Sequence, residues 1–221
     1  MPLVESVTLC GVLPAVFRGD VPAESEIWLA GRVELRRGCR VCISAESGRG
    51  KSSLISFLYG SRDDYDGTIL FDSTDIRSFS VDRWCDMRTR SLAILPQELC
   101  LFPELTVMEN IEIKNRLTST KTTARIVDML ARTGLSGKLH EPVGRLSLGQ
   151  RQRVAAVRAV CQPFDFLLLD EPVSHLDETN NRILASLLQE EADERGAGII
   201  DRKSTRLNSS HPSSSRMPSS A

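Results

Sequence analysis

The stretch from Arg40 to Tyr59, RVCISAESGRGKSSLISFLY, constrains the fold most. A short β-prone run, RVCIS, leads into a glycine-containing loop, and KSSLISFLY then reads as a helix closed by Gly60. The loop AESGRGKSS, Ala45 to Ser53, follows the phosphate-cradling pattern G-x-x-x-x-G-K-[ST] except that Ala45 stands at its first glycine. Such a loop wraps consecutive backbone N–H groups around phosphates at a helix N-terminus, whose dipole favours negative charge. Gly48 and Gly50 supply the freedom to wrap. Lys51 is placed to reach the β- and γ-phosphates, and the Ser52 hydroxyl to ligate Mg²⁺. Ala45 is acceptable there if its φ is negative and costs stability if it is positive. A pattern this degenerate also arises by chance.

The rest of the chain alternates strands and helices. Residues 4–10 and 27–35 are β-prone, 61–66 with Gly67 form a turn, and TILFDSTDI follows as a strand. SLAIL (91–95) reads as a buried strand, residues 104–136 as two helices, and RQRVAAVRAV as another. FDFLLLD (164–170) is strongly apolar, and residues 178–195 form an amphipathic helix. This order predicts a largely parallel sheet covered by helices. The 221 residues suffice for one domain.

Composition excludes several classes. The net charge of −1 gives no bulk electrostatic case for nucleic acid or anionic membrane. No apolar run is long enough to span a bilayer, and MPLVESVTLC lacks the form of a secretory signal, so a cytosolic chain is expected. Of six cysteines only Cys39 and Cys42 form a C-x-x-C. They flank and enter an apolar run and read as reduced structural residues.

FDFLLLDEP ends a long apolar strand in two carboxylates. Asp170 there suits a Mg²⁺ ligand and Glu171 a group that polarises an attacking water; an acidic cap or turn is the bland alternative. Between these sites lies LSLGQRQRVAAVRAV (146–160). With Lys51, Gln97 in ILPQELCLF, the stretch Leu146 to Gln150 and Asp170-Glu171, the chain resembles the ATP-binding cassette family. The four motifs stand in that order at spacings of 46, 50 and 23 residues, taken between Lys51, Gln97, Ser147 and Asp170. The resemblance covers residues 4–200.

The resemblance implies a P-loop α/β core with flanking helices, an N-terminal antiparallel β portion and a small helical subdomain at about 103–160 that carries the signature. It implies a head-to-tail dimer with ATP and Mg²⁺ at the interface. ATP would be held by Ala45, Glu46, Ser47, Gly48, Arg49, Gly50, Lys51, Ser52 and Ser53, with Phe17 stacking on adenine or simply packing in the core. From the other copy would come Ser147, Leu148, Gly149, Gln150 and the D-loop residue Asp177. Glu171 and Gln97 would serve catalysis, and Ser52, Gln97 and Asp170 the metal.

Leu148 replaces a glycine of the usual signature. Its N–H remains available, so reduced tolerance is expected rather than lost function. Trp28 and Trp84 read as structural, and Arg151 and Arg153 as a solvated helix face rather than a nucleic-acid patch. The function implied is the ATP-hydrolysing subunit of a transporter, peripheral on the cytoplasmic face, with a second ATPase subunit and a separate membrane permease as partners. A degenerate or regulatory cassette, or one acting in DNA or translation processes, is the alternative.

The pattern ends at Asp201. Residues 201–221, DRKSTRLNSSHPSSSRMPSSA, contain eight serines and keep no periodicity. DRKSTRLNSSH and SRMPSSA can both be read in one frame from a common short-read sequencing adapter. The expectation is a non-native disordered tail on a C-terminally truncated cassette domain, 1–200. The resemblance puts a γ-phosphate-contacting histidine near position 204, where this chain has Ser204; His211 is not its equivalent. ATPase activity of the chain as written is therefore not assured.

Overall fold

The computed structural model describes residues 3–19, 27–28, 30–45, 51–170 and 177–204. The polypeptide builds two sheets. In the first, β1 (Ser6–Pro14) pairs antiparallel with β2 (Val33–Arg36) and with β4 (Tyr65–Phe71), and the short β5 (Thr74–Asp75) extends it, giving the order β2-β1-β4-β5. In the second, β3 (Arg40–Ala45), β8 (Gly198–Ser204), β7 (Phe166–Asp170) and β6 (Leu92–Leu95) lie side by side, and every pairing is parallel. The helices are α1 (Lys51–Leu58), α2 (Val81–Arg90), α3 (Val107–Asn115), α4 (Thr123–Arg132), α5 (Leu148–Ala159) and α6 (Glu178–Asp193).

The parallel sheet is buried on both faces, which is why β7 reads as an unbroken apolar run. Its side chains divide with period two. Phe166 and Leu168 enter a core shared with the antiparallel sheet and α1, while Leu167 and Leu169 enter a second core built with α3 to α6. The N-terminus is tied to this sheet by buried Asp165, whose carboxylate accepts from the Val4 N–H at 3.0 Å and faces Arg37 at 3.4 Å.

Most elements fall where the sequence places them. α2 is additional: Ser80 caps it by accepting from the Arg83 N–H at 3.2 Å. Trp28 is buried, and Trp84 packs edge-on against Phe71 and Phe79, so both tryptophans are structural. Gly60 must be glycine, because φ is +69° and a Cβ would lie 2.5 Å from the Trp84 ring. Cys39 is half-buried and Cys42 exposed, and burial pushes the Cys39 thiol up.

The boundary expected at Ile200 falls inside a strand. β8 continues to Ser204, with Cys42 to Ala45 paired on one side and Leu169 and Asp170 on the other. Backbone hydrogen bonds from two neighbours sustain the ladder whatever the side chains are. The side chains nonetheless break the rule for a central parallel strand: Ile199 and Ile200 are followed by Asp201, Arg202 and Lys203.

Candidate functional site

Because the four strands run parallel, their C-terminal ends share one edge of the sheet. Ala45, Leu95, Asp170 and Ser204 all stand at that edge, with Ala45 opposite Ser204 and Asp170 opposite Arg202. This is where an open α/β sheet binds ligands, in the crevice outside the carboxyl ends of its strands.

Ala45 closes β3 in extended backbone, so the position does not call for the left-handed freedom of glycine. Glu46, Ser47, Gly48, Arg49 and Gly50 lie outside the described residues. Lys51 and Ser52 open α1 directly after them. The strand and helix on either side of this loop are thus those the phosphate pattern requires. Ser53 is buried, and its hydroxyl accepts from Arg62 at 3.2 Å, a hydrogen bond that holds the first turn of α1.

Gln97 follows β6 in an exposed turn closed by the Leu99 N–H donating to the Pro96 carbonyl at 3.1 Å. Leu99 and Cys100 have φ of 58° and 48°, a left-handed pair without glycine. Arg158, near the end of α5, holds this pair: its guanidinium donates to the Leu99 and Cys100 carbonyls at 2.6 and 2.7 Å. Sequence reading gave Arg158 no role, since nothing in its position betrays two backbone acceptors 58 and 59 residues away.

Asp170 ends β7 and is 15% exposed. Its carboxylate accepts from the Arg202 guanidinium of β8, a residue the sequence reading set aside as tail. The oxygen donor suits a hard cation such as Mg²⁺. It already carries one positive partner, bonded to Oδ1, with which a metal there would share the carboxylate. Glu171 lies outside the described residues.

The signature segment is built as a helix start. Leu146 is 5% exposed and anchors it. Ser147 and Gln150 form a reciprocal cap on α5: the Ser147 hydroxyl accepts from the Gln150 N–H at 3.3 Å, and the Gln150 side chain accepts from the Ser147 N–H at 2.9 Å. Ser147 is exposed, and Leu148 is 40% exposed, so its side chain sits outside the core. Gly149 lies in the first turn.

Asp177 caps α6 with its side chain, accepting from the Asn180 N–H at 2.9 Å; this bond, with the Asn180 side chain, holds its carboxyl below the usual range. Arg153 is half-buried and donates to the Asn180 side chain, so it is not the solvated residue expected from the sequence. Phe17 ends a 3-10 turn, Ala15–Phe17, half-buried against the core shared by the two sheets. A cleft of about 530 Å³ lined by residues including Arg62, Arg77, Phe79 and Trp84 contains none of the expected site residues.

A two-sheet α/β core with a strand–loop–helix phosphate motif and a capped signature helix defines a nucleotide-binding cassette. The family model for ABC transporter matches residues 31–174. The chain is 32% identical over 184 residues to the ABC transporter ATP-binding protein YtrE of Bacillus subtilis, covering 82% of this chain and 78% of that one. It is 32% identical over 161 residues to the lipoprotein-releasing system ATP-binding protein LolD of Buchnera aphidicola, covering 72% and 70%. Among solved structures, a dimeric post-hydrolysis state of the ATP-binding cassette MJ0796 bound to ADP and Pi shares its fold, with TM-score 0.72 at 24% identity over 89% of this chain and 87% of that one. The chain belongs to the ABC transporter family and is an ATP-binding cassette of that family.

Proposed function

We propose that the chain is the ATP-hydrolysing subunit of a transporter, and that it works as a head-to-tail dimer closing on two ATP molecules. The observation that supports the reading is the shared sheet edge, where β3, which leads toward the P-loop, β6, which leads to Gln97, and β7, which ends at Asp170, all finish. In this reading residues 45–53 grip the triphosphate of their own subunit, with Phe17 at the adenine. Ser147, Leu148, Gly149, Gln150 and Asp177 face the γ-phosphate held by the second copy. Magnesium, when bound, neutralises charge on the phosphates; Asp170, Ser52 and Gln97 would hold it. Glu171 orients and deprotonates the attacking water, and Gln97 senses a docked partner. Closure excludes water and strengthens every charge interaction within.

Among the described residues no helix is long and apolar enough to cross a membrane. The membrane-spanning partner is therefore taken to be a separate permease, which places the subunit on the cytoplasmic face of the bilayer. Closing and opening of the dimer would drive that partner through the region beside Gln97. The test is co-purification with a multispanning protein encoded beside this gene, followed by a search for molecules that stimulate ATP turnover. ATP turnover by the subunit in the absence of any such partner, unresponsive to every membrane protein offered, would favour the non-transport reading.

We also propose that residues 201–221 are not native and that the gene continues differently beyond Ile200. Three charged residues in the middle of a parallel sheet support this. Sequencing the locus from genomic DNA decides it: an apolar continuation of β8 is expected, whereas a native frame through DRKSTRLNSSH overturns the proposal. A consequence follows for the chain as it stands. Arg202 competes with Mg²⁺ for Asp170, so Arg202→Val should increase the factor by which Mg²⁺ tightens ATP binding by about tenfold. Titration of a fluorescent ATP analogue with and without Mg²⁺ measures it, and an unchanged factor contradicts it.

A further inference from the structure

Helix α6 begins at Asp177 and is fastened to the signature helix α5 by a short relay. The Arg153 guanidinium donates to Asn180 Oδ1. Asn180 Nδ2 donates to Asp177 Oδ2 at 2.6 Å, and the Asn180 backbone N–H donates to Asp177 Oδ1 at 2.9 Å. The amide has one possible orientation here. A guanidinium has only donors and a carboxylate only acceptors, so the oxygen must face Arg153 and the NH₂ must face Asp177. Arg153 lies about 1.7 turns from Ser147, the cap of α5, whose start is itself locked by the Ser147–Gln150 cap.

The far end of α6 is held against the helical segment too. Glu191 pairs with Lys121 at 2.5 Å and with Arg125 at 3.0 Å, and Glu190 pairs with Arg132 of α4 at 2.6 Å. With both ends of α6 tied, Asp177 has little independence from the helix that carries Ser147.

We propose that Arg153 is a positioning residue that acts through Asn180, holding Asp177 and the signature start as one rigid surface for a second copy of this chain. The proposal rests on the dimer reading above. It assigns Arg153 no contact with nucleotide. Losing the relay leaves ATP binding by the single chain intact and lets the two interface segments move independently, so that ordering them is deferred to the moment of association.

The test uses the protein expressed from its genomic locus in a Glu171→Gln background, with ATP affinity measured on dilute protein and the dimer dissociation constant measured at saturating Mg-ATP. Arg153→Met and Asn180→Ala should each raise the dimer dissociation constant about tenfold, while ATP affinity changes less than about twofold. The double variant should be no worse than either single one, since both break one relay. Asn180→Ala alters a half-buried position in the first turn of α6, outside the core, and keeps the test alive if Arg153→Met fails to fold. Fully additive effects, or a dimer constant unmoved in both variants, overturn the relay. If the Glu171→Gln parent binds ATP but never dimerises, the dimer reading has failed and the proposal falls with it, a result distinct from failure of the relay alone.

Discussion

Glu191→Ala is expected to destabilise the fold by about 3–5 kcal/mol, the usual consequence of removing one partner of a buried ion pair. The Glu191 side chain is fully buried, and Lys121, its partner at 2.5 Å, is 8% exposed. Arg195 adds a second bond at 2.8 Å. Removing the carboxylate leaves the Lys121 ammonium, among the described residues, with Glu194 at 4.0 Å as its remaining carboxylate partner. Chemical denaturation at neutral pH measures the loss, and a change below about 1 kcal/mol contradicts the account. The double replacement Glu191→Leu with Lys121→Met should recover much of the loss, because an apolar pair avoids desolvating two charges.

The same group shapes acid stability. Burial alone would raise the Glu191 carboxyl, but the hydrogen bond and charge of Lys121, with those of Arg195, outweigh it and hold the carboxyl below the usual range. A carboxyl depressed in the folded state stabilises fully above its unfolded pKa of about 4.3 and loses that contribution as pH falls through the folded value. The parent should therefore lose stability on acidification below about pH 4.3, and Glu191→Gln should lack that part of the slope.

The second large effect is catalytic. Expressed from its genomic locus, the protein should lose ATP turnover by about a hundredfold or more when Glu171 becomes Gln, the scale of removing a general base. ATP affinity should persist, because the amide keeps the volume and removes only proton-accepting power. Glu171 directly follows Asp170, the last residue of β7, in the sequence. A variant that retains half its turnover would remove Glu171 from the mechanism.

Much of the fold was legible because its signals are local. Phe166 to Leu169 is an unbroken apolar run, and a strand buried on two faces accepts that pattern. Ser147 and Gln150 spell out a helix start in four residues. Helix α2 was missed because VDRWCDMRTR is mostly polar; the usable cues were Ser80 at the cap and the i, i+3 spacing of Val81, Trp84 and Met87. What escaped at the site was long-range. Arg158 reaches Leu99 and Cys100, Arg153 reaches Asn180, and Arg202 reaches Asp170 only once the chain is folded. Arginines on an amphipathic helix look solvated in sequence, and no periodicity shows which of them turns inward.

The central claim is that one triphosphate is clasped by the lysine loop of one subunit and the serine–glycine helix start of another. Sedimentation of the Glu171→Gln protein, expressed from its genomic frame, tests this most directly. Saturating Mg-ATP should convert it from monomer to dimer, and Ser147→Arg, which places a bulky side chain at that contact, should abolish the conversion. A protein that stays monomeric with ATP bound would contradict the claim.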